Sequence, residues 1–242
     1  MNFFVTSDQI ENNKIYIKGS DVNHIKNVLR HTKGDVLDVV SDQIKYEVQI
    51  NEINSEYVVC DILNKKFEED NKIDLTIYQG LAKADKFEYI IQKCTEIGVH
   101  RIVPTEMKRC VVKLDNKDKV KKIERWRKIA EVASKQSLRN DILEVAQVAT
   151  FMDVINSLKD FDYVIMAYEK EKDVLLKDVL KKINADTCKI AVIIGPEGGI
   201  DDGEADKLVE NGAHSVSLGK RILRTETAPI VVAANIMYEL ES

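Results

Sequence analysis

Apolar and polar residues alternate along four segments of the first seventy residues, with turn-forming residues between them. Alternation of this kind is typical of strands that bury one face. The four segments are residues 14–19, 35–41, 44–53 and 56–66. A short helical pattern over residues 21–31 interrupts them, with Asp21 as its expected N-cap. This part of the pattern predicts a small β-barrel that ends in the charged stretch 65–72.

From residue 73 onward the pattern changes to strands that alternate with helices. Strands are predicted over residues 73–81, 101–106, 161–169, 188–195 and 214–219. Amphipathic helices are predicted over residues 83–98, 119–139, 203–212 and 227–240. Repeated strand–helix units indicate an α/β domain with a mainly parallel sheet. The sequence therefore predicts two domains, residues 1–71 and 72–242.

Composition agrees with two ordinary globular domains. The chain has 242 residues, of which 44% are hydrophobic and 32% are charged. The longest apolar run near the C-terminus, residues 228–237, is too short to cross a bilayer. The N-terminal residues show no signal-peptide pattern. We therefore expect a cytoplasmic protein with no membrane partner.

The four cysteines give no sign of a metal site. They are Cys60, Cys94, Cys110 and Cys188, which lie far apart, without a C-x-x-C pair or a histidine at ligand spacing. Isolated cysteines in a chain of this class are expected to be reduced and buried. No metal is therefore predicted.

The charge is unevenly distributed along the chain. The net charge is −5, yet residues 101–139 carry thirteen basic and five acidic residues, a local charge of +8. The predicted helix over residues 119–139 has a basic stripe formed by Lys121, Arg125, Lys128, Lys135 and Arg139. Such a stripe is either a solvated charged face or a surface that binds phosphate groups.

A glycine-containing loop follows the buried strand of the second domain. This first loop, IIGPEGGI at residues 193–200, permits positive φ angles and close approach of a ligand to bare backbone. It matches neither the G-x-G-x-x-G dinucleotide fingerprint nor a phosphate-binding loop that ends in G-K-[ST]. Taken alone, it is also compatible with a strand-to-helix turn that binds nothing.

A second loop, LGKRILRTETAP at residues 218–229, follows the last predicted strand. Thr225 or Thr227 can cap the helix that comes after it. Capping does not explain the apolar pair Ile222 and Leu223, which lies between Arg221 and Arg224. The apolar pair suits a wall that faces a ligand, and the two arginines suit an anionic substrate. Because ligands bind at adjacent strand ends of α/β sheets, the two loops together predict a binding cleft.

These loops and three further segments resemble the SPOUT superfamily of methyltransferases, and closely the ribosomal RNA small-subunit methyltransferase E family. The matching segments cover almost the whole chain: HIKNVLRHTKGD (24–35), KADKFEYIIQKCTEIGV (83–99), RWRKIAEVASKQSLR (125–139), IIGPEGG (193–199) and LGKRILRTETA (218–228). One departure lies in MKRCVV (107–112), where the family has Arg-Ser. Cys110 lacks the hydroxyl group that could bond to RNA.

The resemblance implies an enzyme that transfers a methyl group from S-adenosyl-L-methionine to N3 of a uridine in 16S ribosomal RNA of the small ribosomal subunit. It implies an α/β fold: a C-terminal SPOUT α/β domain with a deep trefoil knot, plus a small N-terminal PUA-like β-barrel that binds RNA. Pattern alone would predict an open, unknotted sheet. Family members are homodimers, and the apolar C-terminal helix would supply the interface.

The resemblance also implies three groups of site residues. The cofactor would be bound by Ala167, Tyr168, Ile194, Gly195, Pro196, Glu197, Gly198, Gly199, Leu218, Gly219, Ile222, Leu223, Thr225, Thr227 and Ala228. RNA would be contacted by Arg30, Lys83, Lys86, Arg109, Gln136, Arg139 and Arg221. Arg224 would stabilise negative charge that develops on the uracil. Glu226 is either a base or substrate-orienting group, or a first-turn carboxylate favoured by the helix dipole.

Two other functions stay open at this point. A non-catalytic RNA-binding protein would combine the N-terminal domain with an α/β platform, but it would have no need of two cofactor loops. An α/β oxidoreductase would use the first loop for a dinucleotide, but the fingerprint for that cofactor is missing and the basic stripe is unexplained.

Overall fold

The structure, a computed structural model, describes residues 1–67, 73–184 and 188–240. Contacts group the chain into two compact units: Met1–Asp70 with Ser134–Ile142, and Asn71–Ala133 with Leu143–Ser242. The predicted domain boundary, between residues 71 and 72, lies outside the described residues. Residues 134–142 were predicted to belong to the second domain, whereas their contacts group them with the first unit.

The first unit contains a six-stranded sheet. Its strands are β1 (Asn2–Phe4), β2 (Ile10–Glu11), β3 (Lys14–Lys18), β4 (Val36–Ser41), β5 (Ile44–Ile53) and β6 (Tyr57–Phe67). Their order across the sheet is β1-β4-β5-β6-β3-β2, and each described pair is antiparallel except β1 with β4. Alternate residues such as Ile15, Ile17 and Val48 are fully buried, which is the alternation that predicted the strands.

The helix predicted over residues 21–31 differs from the observed one. Helix α1 (Ser20–Asn23) is followed by a π-helical turn, His24–Val28, and its N-cap is Gly19 with φ +72°. Asp21 is therefore not the cap. Its carboxylate instead accepts hydrogen bonds from Lys135 Nζ at 2.8 and 2.9 Å, inside the first unit.

The second unit is built on a parallel sheet. Its strands are β7 (Ile73–Gly80), β8 (Arg101–Glu106), β9 (Glu144–Val145), β10 (Ala149–Thr150), β11 (Tyr163–Ala167), β12 (Cys188–Ile194) and β13 (His214–Val216). The order is β10-β8-β7-β12-β11-β13, with β9 beside β8, and the described pairs are all parallel. Central strand β12 is buried except at Lys189, which explains its continuous apolar sequence.

Helices cover this sheet. They are α2 (Ala84–Ile97), α3 (Asn116–Gln136), α4 (Phe151–Ser157), α5 (Leu176–Leu180), α6 (Asp202–Glu210) and α7 (Ala228–Leu240). Gly98 ends α2 in the left-handed conformation, as predicted. Helix α3 begins three residues earlier and ends three residues earlier than predicted. It ends before Leu138, a non-glycine residue with φ +61°.

The described residues contain no helix that is long and apolar enough to cross a membrane. Within the same residues, no group of three or more His, Cys, Asp or Glu side chains is arranged to hold a metal ion. All four cysteines are buried and free, and burial raises the pKa of the Cys60 thiol to about 12. At neutral pH Cys60 is therefore a neutral, unreactive thiol.

Candidate functional site

A cavity of about 1120 Å³ opens in the second unit at the carboxyl ends of its strands. In-register pairing of β11 with β12 and β13 places Ala167 beside Ile194 and Val216, so the first and second loops leave the sheet side by side. Of the predicted cofactor residues, those that line the cavity are Ala167, Tyr168, Ile194, Gly195, Pro196, Glu197, Gly198, Gly199, Leu218, Gly219, Ile222, Leu223, Thr225 and Ala228. Thr227 is not among the lining residues of the described chain.

Close backbone packing requires the glycines of the first loop. A Cβ atom on Gly195 would lie 2.9 Å from the backbone of Gly199 and Ile200, and one on Gly199 would overlap Glu169 Oε1. Gly199 also has φ +72°, which an L side chain rarely adopts. Beneath the loop, a Cβ on Gly80 would lie 2.5 Å from the nitrogen of Pro196. The loop is thus seated directly on the end of β7.

The Glu197 carboxylate of the GPEGG sequence bonds to other groups of the chain rather than to solvent. Glu197 Oε1 accepts a hydrogen bond from the backbone amide of Lys83, the N-cap of α2, at 3.1 Å. A carboxylate at a helix N-terminus is favoured by the helix dipole. Burial opposes ionisation of Glu197, but this bond, a backbone bond of its own and Lys86 outweigh it and lower its pKa. Glu197 therefore attaches the first loop to α2.

A buried hydrogen-bond chain joins the second loop to the first. Thr225 Oγ1 donates to the Gly195 carbonyl at 2.8 Å and accepts from Gln79 Nε2 at 3.1 Å. Gln79 is fully buried at the end of β7. Its amide oxygen has no hydrogen-bond partner among the described residues. Sequence reasoning gave Gln79 no role, because a lone polar residue in a strand pattern carries no signal of its partners.

Arg109 supports the first loop from its outer side. Its Nη1 donates to the carbonyl of Ile200 at 3.1 Å, and its Nε lies 3.5 Å from Asp201 Oδ2. Lys108 Nζ bonds to the same carboxylate at 2.8 Å, and that bond is the largest cause of the lowered pKa of Asp201. A Cβ atom on Gly198 would lie 3.0 Å from Arg109, so Gly198 packs directly against Arg109.

Cys110 lies inside the turn that carries Arg109. Its Sγ accepts a hydrogen bond from the Met107 amide at 3.3 Å and donates to the Thr105 carbonyl at 3.7 Å, and the residue is buried. The sequence left an RNA hydrogen bond at this position in doubt. Its burial indicates a local structural role instead.

The two predicted catalytic residues differ sharply in exposure. The Arg224 side chain is 82% exposed, and its Nη1 lies 3.9 Å from Glu226 Oε1. The Glu226 side chain is only 16% exposed, and its Oε2 lies 3.4 Å from Lys86 Nζ. That oxygen is buried and has no hydrogen-bond partner among the described residues. The Glu226 carboxylate is therefore paired with Lys86, and Glu226, unlike Arg224, is not among the lining residues of the described cavity.

The predicted RNA contacts fall into both units. Arg30 and Gln136 are exposed in the first unit, and Arg30 has φ +58°, a strained value for a non-glycine residue. In the same unit the Arg139 side chain is only 8% exposed and bonds to Asp141 at 2.7 and 2.9 Å, so little of it could reach an RNA. In the second unit Lys83 and Arg221 are exposed, and Lys86 and Arg221 line the cavity.

Part of the cavity wall was not predicted. The loop after β11 contributes a mixed set of charged and apolar side chains, the second loop adds one residue, and one more lies just before the second loop. The unpredicted lining residues are Glu169, Glu171, Lys172, Asp173, Leu175, Ser217 and Lys220. Glu171 accepts hydrogen bonds from the amides of Asp173, Val174 and Lys172, which lower its pKa and hold this loop. The signal available in the sequence was that this loop directly follows the predicted strand 161–169, as the first and second loops follow theirs.

Two family models match the chain. The model described as an RNA methyltransferase domain matches residues 69–237, which contain the whole cavity. The model described as an RNA methyltransferase PUA domain matches residues 17–63, within the six-stranded sheet of the first unit.

Individual proteins are similar over nearly the full length. Ribosomal RNA small subunit methyltransferase E of Bacillus subtilis (strain 168) is 36% identical over 98% of this chain and 95% of its own. The crystal structure of a hypothetical protein is 35% identical, with a TM-score of 0.90 over 100% of this chain and 99% of the other. A ribosomal RNA small subunit methyltransferase E from Neisseria gonorrhoeae, bound to S-adenosyl methionine, is 25% identical, with a TM-score of 0.85 over 98% and 96% of the two chains.

Proposed function

Because the chain belongs to the ribosomal RNA small subunit methyltransferase E family, we propose that it transfers a methyl group from S-adenosylmethionine to N3 of a uridine in 16S ribosomal RNA. The observation that carries the proposal is the joining of the first and second loops around one cavity, through Thr225 Oγ1 and the Gly195 carbonyl, 2.8 Å apart. A cavity of about 1120 Å³ is large enough for a nucleoside cofactor with a base beside it.

The residues of the cavity fit this cofactor. Ile194, Leu218 and Leu223 give an apolar wall for an adenine ring, and the first loop presents bare backbone at Gly195 and Gly199. When bound, S-adenosylmethionine supplies the methyl group from its sulfonium. The chain's own contribution is to hold the reacting atoms in line, and positioning of this kind supplies much of an enzyme's rate.

Uracil N3 carries a proton and is a poor nucleophile, so the site must accept that proton or stabilise the anion. We assign Glu226 the role of an orienting group, because its Oε2 pairs with Lys86 Nζ at 3.4 Å and the residue is not among those that line the described cavity. Arg224, exposed at the cavity wall, provides a cation for charge that develops on the uracil oxygens. The basic residues Lys220 and Arg221 on the same loop would attract the RNA backbone.

Two finer features of the fold belong to the same proposal. We take the connection from β13 to α7 to form a deep trefoil knot. In support, β13 lies at the sheet edge beside β11, whereas α7 packs against α2 and β7 on the far side of β12. We take the first unit to be a PUA-like β-barrel that binds RNA, supported by its family match and its mainly antiparallel sheet.

The working protein is proposed to be a cytoplasmic homodimer that acts on the small ribosomal subunit. Helix α7 supports a dimer because Ile230 and Val231, at its start, are only half-buried in the single chain. Sedimentation equilibrium measures this directly: a mass of twice 27.5 kDa is expected, and a monomer at micromolar concentration would contradict it.

Isothermal titration with S-adenosylmethionine tests the cofactor site. The wild type is expected to bind, and Ala167→Phe, which adds a ring to a lining residue of the cavity, is expected to lose at least about tenfold in affinity while keeping its fold. Met152→Phe, at an exposed position of α4, is the matched control and should bind like the wild type. A folded wild type that does not bind would contradict the proposal and favour a non-catalytic RNA-binding protein.

A further inference from the structure

Lys86 lies at the start of α2, at the point where the two loops meet. Its Nζ is 3.6 Å from Glu197 Oε1 of the first loop and 3.4 Å from Glu226 Oε2 of the second loop. Its side chain is 28% exposed, and both carboxylates are less exposed than that. One ammonium group therefore serves two carboxylates from two separate loops.

The partial burial of Lys86 and of both carboxylates strengthens the two ion pairs. Glu197 and Glu226 are like charges near one cation, and ion pairs are screened less as exposure decreases. Without Lys86, Glu197 would keep its bond to the Lys83 amide, but among the described residues Glu226 would keep only the ion pair with Arg224, which is 3.9 Å away and 82% exposed. Lys86 is thus the partly buried cation that the two loops share.

From this geometry we propose that Lys86 is a positioning residue, whose ammonium joins the first loop to the second and so fixes both the cofactor cleft and the direction of Glu226. This assigns Lys86 a role different from the RNA contact suggested by sequence. The structural part of the inference stands by itself, and its kinetic part rests on the proposed methyl transfer.

Hydrogen–deuterium exchange of the cofactor-free protein tests the structural part. Lys86→Met keeps the length of the side chain but removes the charge. Faster exchange is expected in peptides of both loops, with unchanged exchange in peptides of β5 and β6, which report on the first unit. Lys86→Arg should restore the slow exchange. Lys93→Met is the matched control on the same helix, since Lys93 pairs locally with Glu96 and should leave both loops unchanged.

Unchanged exchange in the two loops of Lys86→Met, or faster exchange in only one of them, would overturn the inference. These outcomes do not depend on whether the protein binds S-adenosylmethionine, so they separate failure of the Lys86 role from failure of the proposed function.

Steady-state methylation then tests the kinetic part. Lys86→Met should raise KM for S-adenosylmethionine about tenfold, as expected for removal of two partly buried ion pairs, and should lower kcat because Glu226 loses its partner. Lys86→Arg should recover most of both values. If KM for RNA rises while KM for S-adenosylmethionine stays unchanged, Lys86 is an RNA contact and the inference is wrong.

Discussion

At the scale of single residues, the site is held by groups that face protein rather than ligand. Glu197 accepts a hydrogen bond from the Lys83 amide at the start of α2. Arg109 donates one to the Ile200 carbonyl, and Thr225 donates one to the Gly195 carbonyl. Each contact holds one part of a loop, so the backbone that faces the cavity is held in place by protein groups. Preorganisation of this kind lowers the entropy lost on binding.

Substitution of Gly199 should destabilise the protein. Gly199→Ala places a side chain at φ +72° and in overlap with Glu169 Oε1, so a decrease of about 1–3 kcal/mol in the free energy of unfolding is expected. In Gly203→Ala, in α6, the new Cβ would make only an ordinary van der Waals contact, 3.6 Å from Asp201 Oδ1, so the variant should leave stability unchanged or raise it by up to about 1 kcal/mol. Urea denaturation measures both. Equal effects of the two variants would contradict the account.

The Glu197 carboxylate should make stability depend on pH. Its pKa lies below its ordinary value of 4.5 in the folded protein, so its stabilising effect is fully present above pH 4.5 and is lost as the pH falls through the lowered pKa. Glu197→Gln should therefore be less stable than the wild type at pH 7, by about 0.5–1.5 kcal/mol. That difference should shrink in acid. A difference that stays constant down to pH 3 would show that the charge is not responsible.

At the scale of elements, the end of β7 connects the sheet to both loops. Gln79 donates to Thr225, whose hydroxyl donates to Gly195, and Gly80 leaves room for Pro196. These residues come from sequence positions far apart, and their strand ends meet because β7 and β12 are adjacent and parallel.

A double-mutant cycle measures this connection. Gln79→Leu and Thr225→Val each remove one member of the hydrogen-bond chain, and each should cost about 1–3 kcal/mol of unfolding free energy. Because the residues are in contact, the double variant should cost less than the sum, with a coupling of at least about 0.5 kcal/mol. Additive effects would mean that the bond does not join the two elements.

Helix α3 carries the exposed part of the predicted basic stripe. Lys121, Arg125 and Lys128 are exposed, and Arg125 bonds to Glu88 at 2.8 Å, whereas Lys135 is buried against Asp21. The exposed part of the stripe therefore ends near residue 128, because Lys135, which lies on the same helix face seven residues later, is buried by its contact with Asp21.

Lys121→Ala with Lys128→Ala should weaken binding of 16S ribosomal RNA without changing affinity for S-adenosylmethionine. For each lysine–phosphate ion pair that the substitutions remove, the slope of log affinity against log salt concentration should fall by about 0.7–0.9. Filter binding over a salt series measures the slope. Lys207→Ala, an exposed lysine of α6, is the control, and an equal change in that variant would show a nonspecific charge effect.

At the scale of the molecule, local patterns predicted much of the fold. The alternation at 14–18 and 44–53, the apolar run at 188–194 and the stop at Gly98 all correspond to observed elements. The short strands β9 and β10 were missed, because two residues carry no periodicity. The grouping of residues 134–142 with the first unit depends on long-range packing that no local pattern encodes.

Most of the cavity lining, like most of the fold, was predicted from the sequence. The glycines and the apolar pair of the second loop signalled a ligand, and most of the expected cofactor residues line one cavity. Lys86 was assigned to RNA on the family resemblance alone. Its two carboxylate partners come from residues 197 and 226, more than a hundred positions away, so only the tertiary structure brings them together.

The most direct test of the central claim is mass spectrometry of nucleosides from small ribosomal subunits that lack the modification. The subunits are incubated with the protein and S-adenosylmethionine carrying a deuterated methyl group. The account predicts one labelled 3-methyluridine per 16S ribosomal RNA, and none with Arg224→Ala or with heat-denatured protein. Label on another atom or nucleoside, or no label from a protein that binds S-adenosylmethionine, would contradict it.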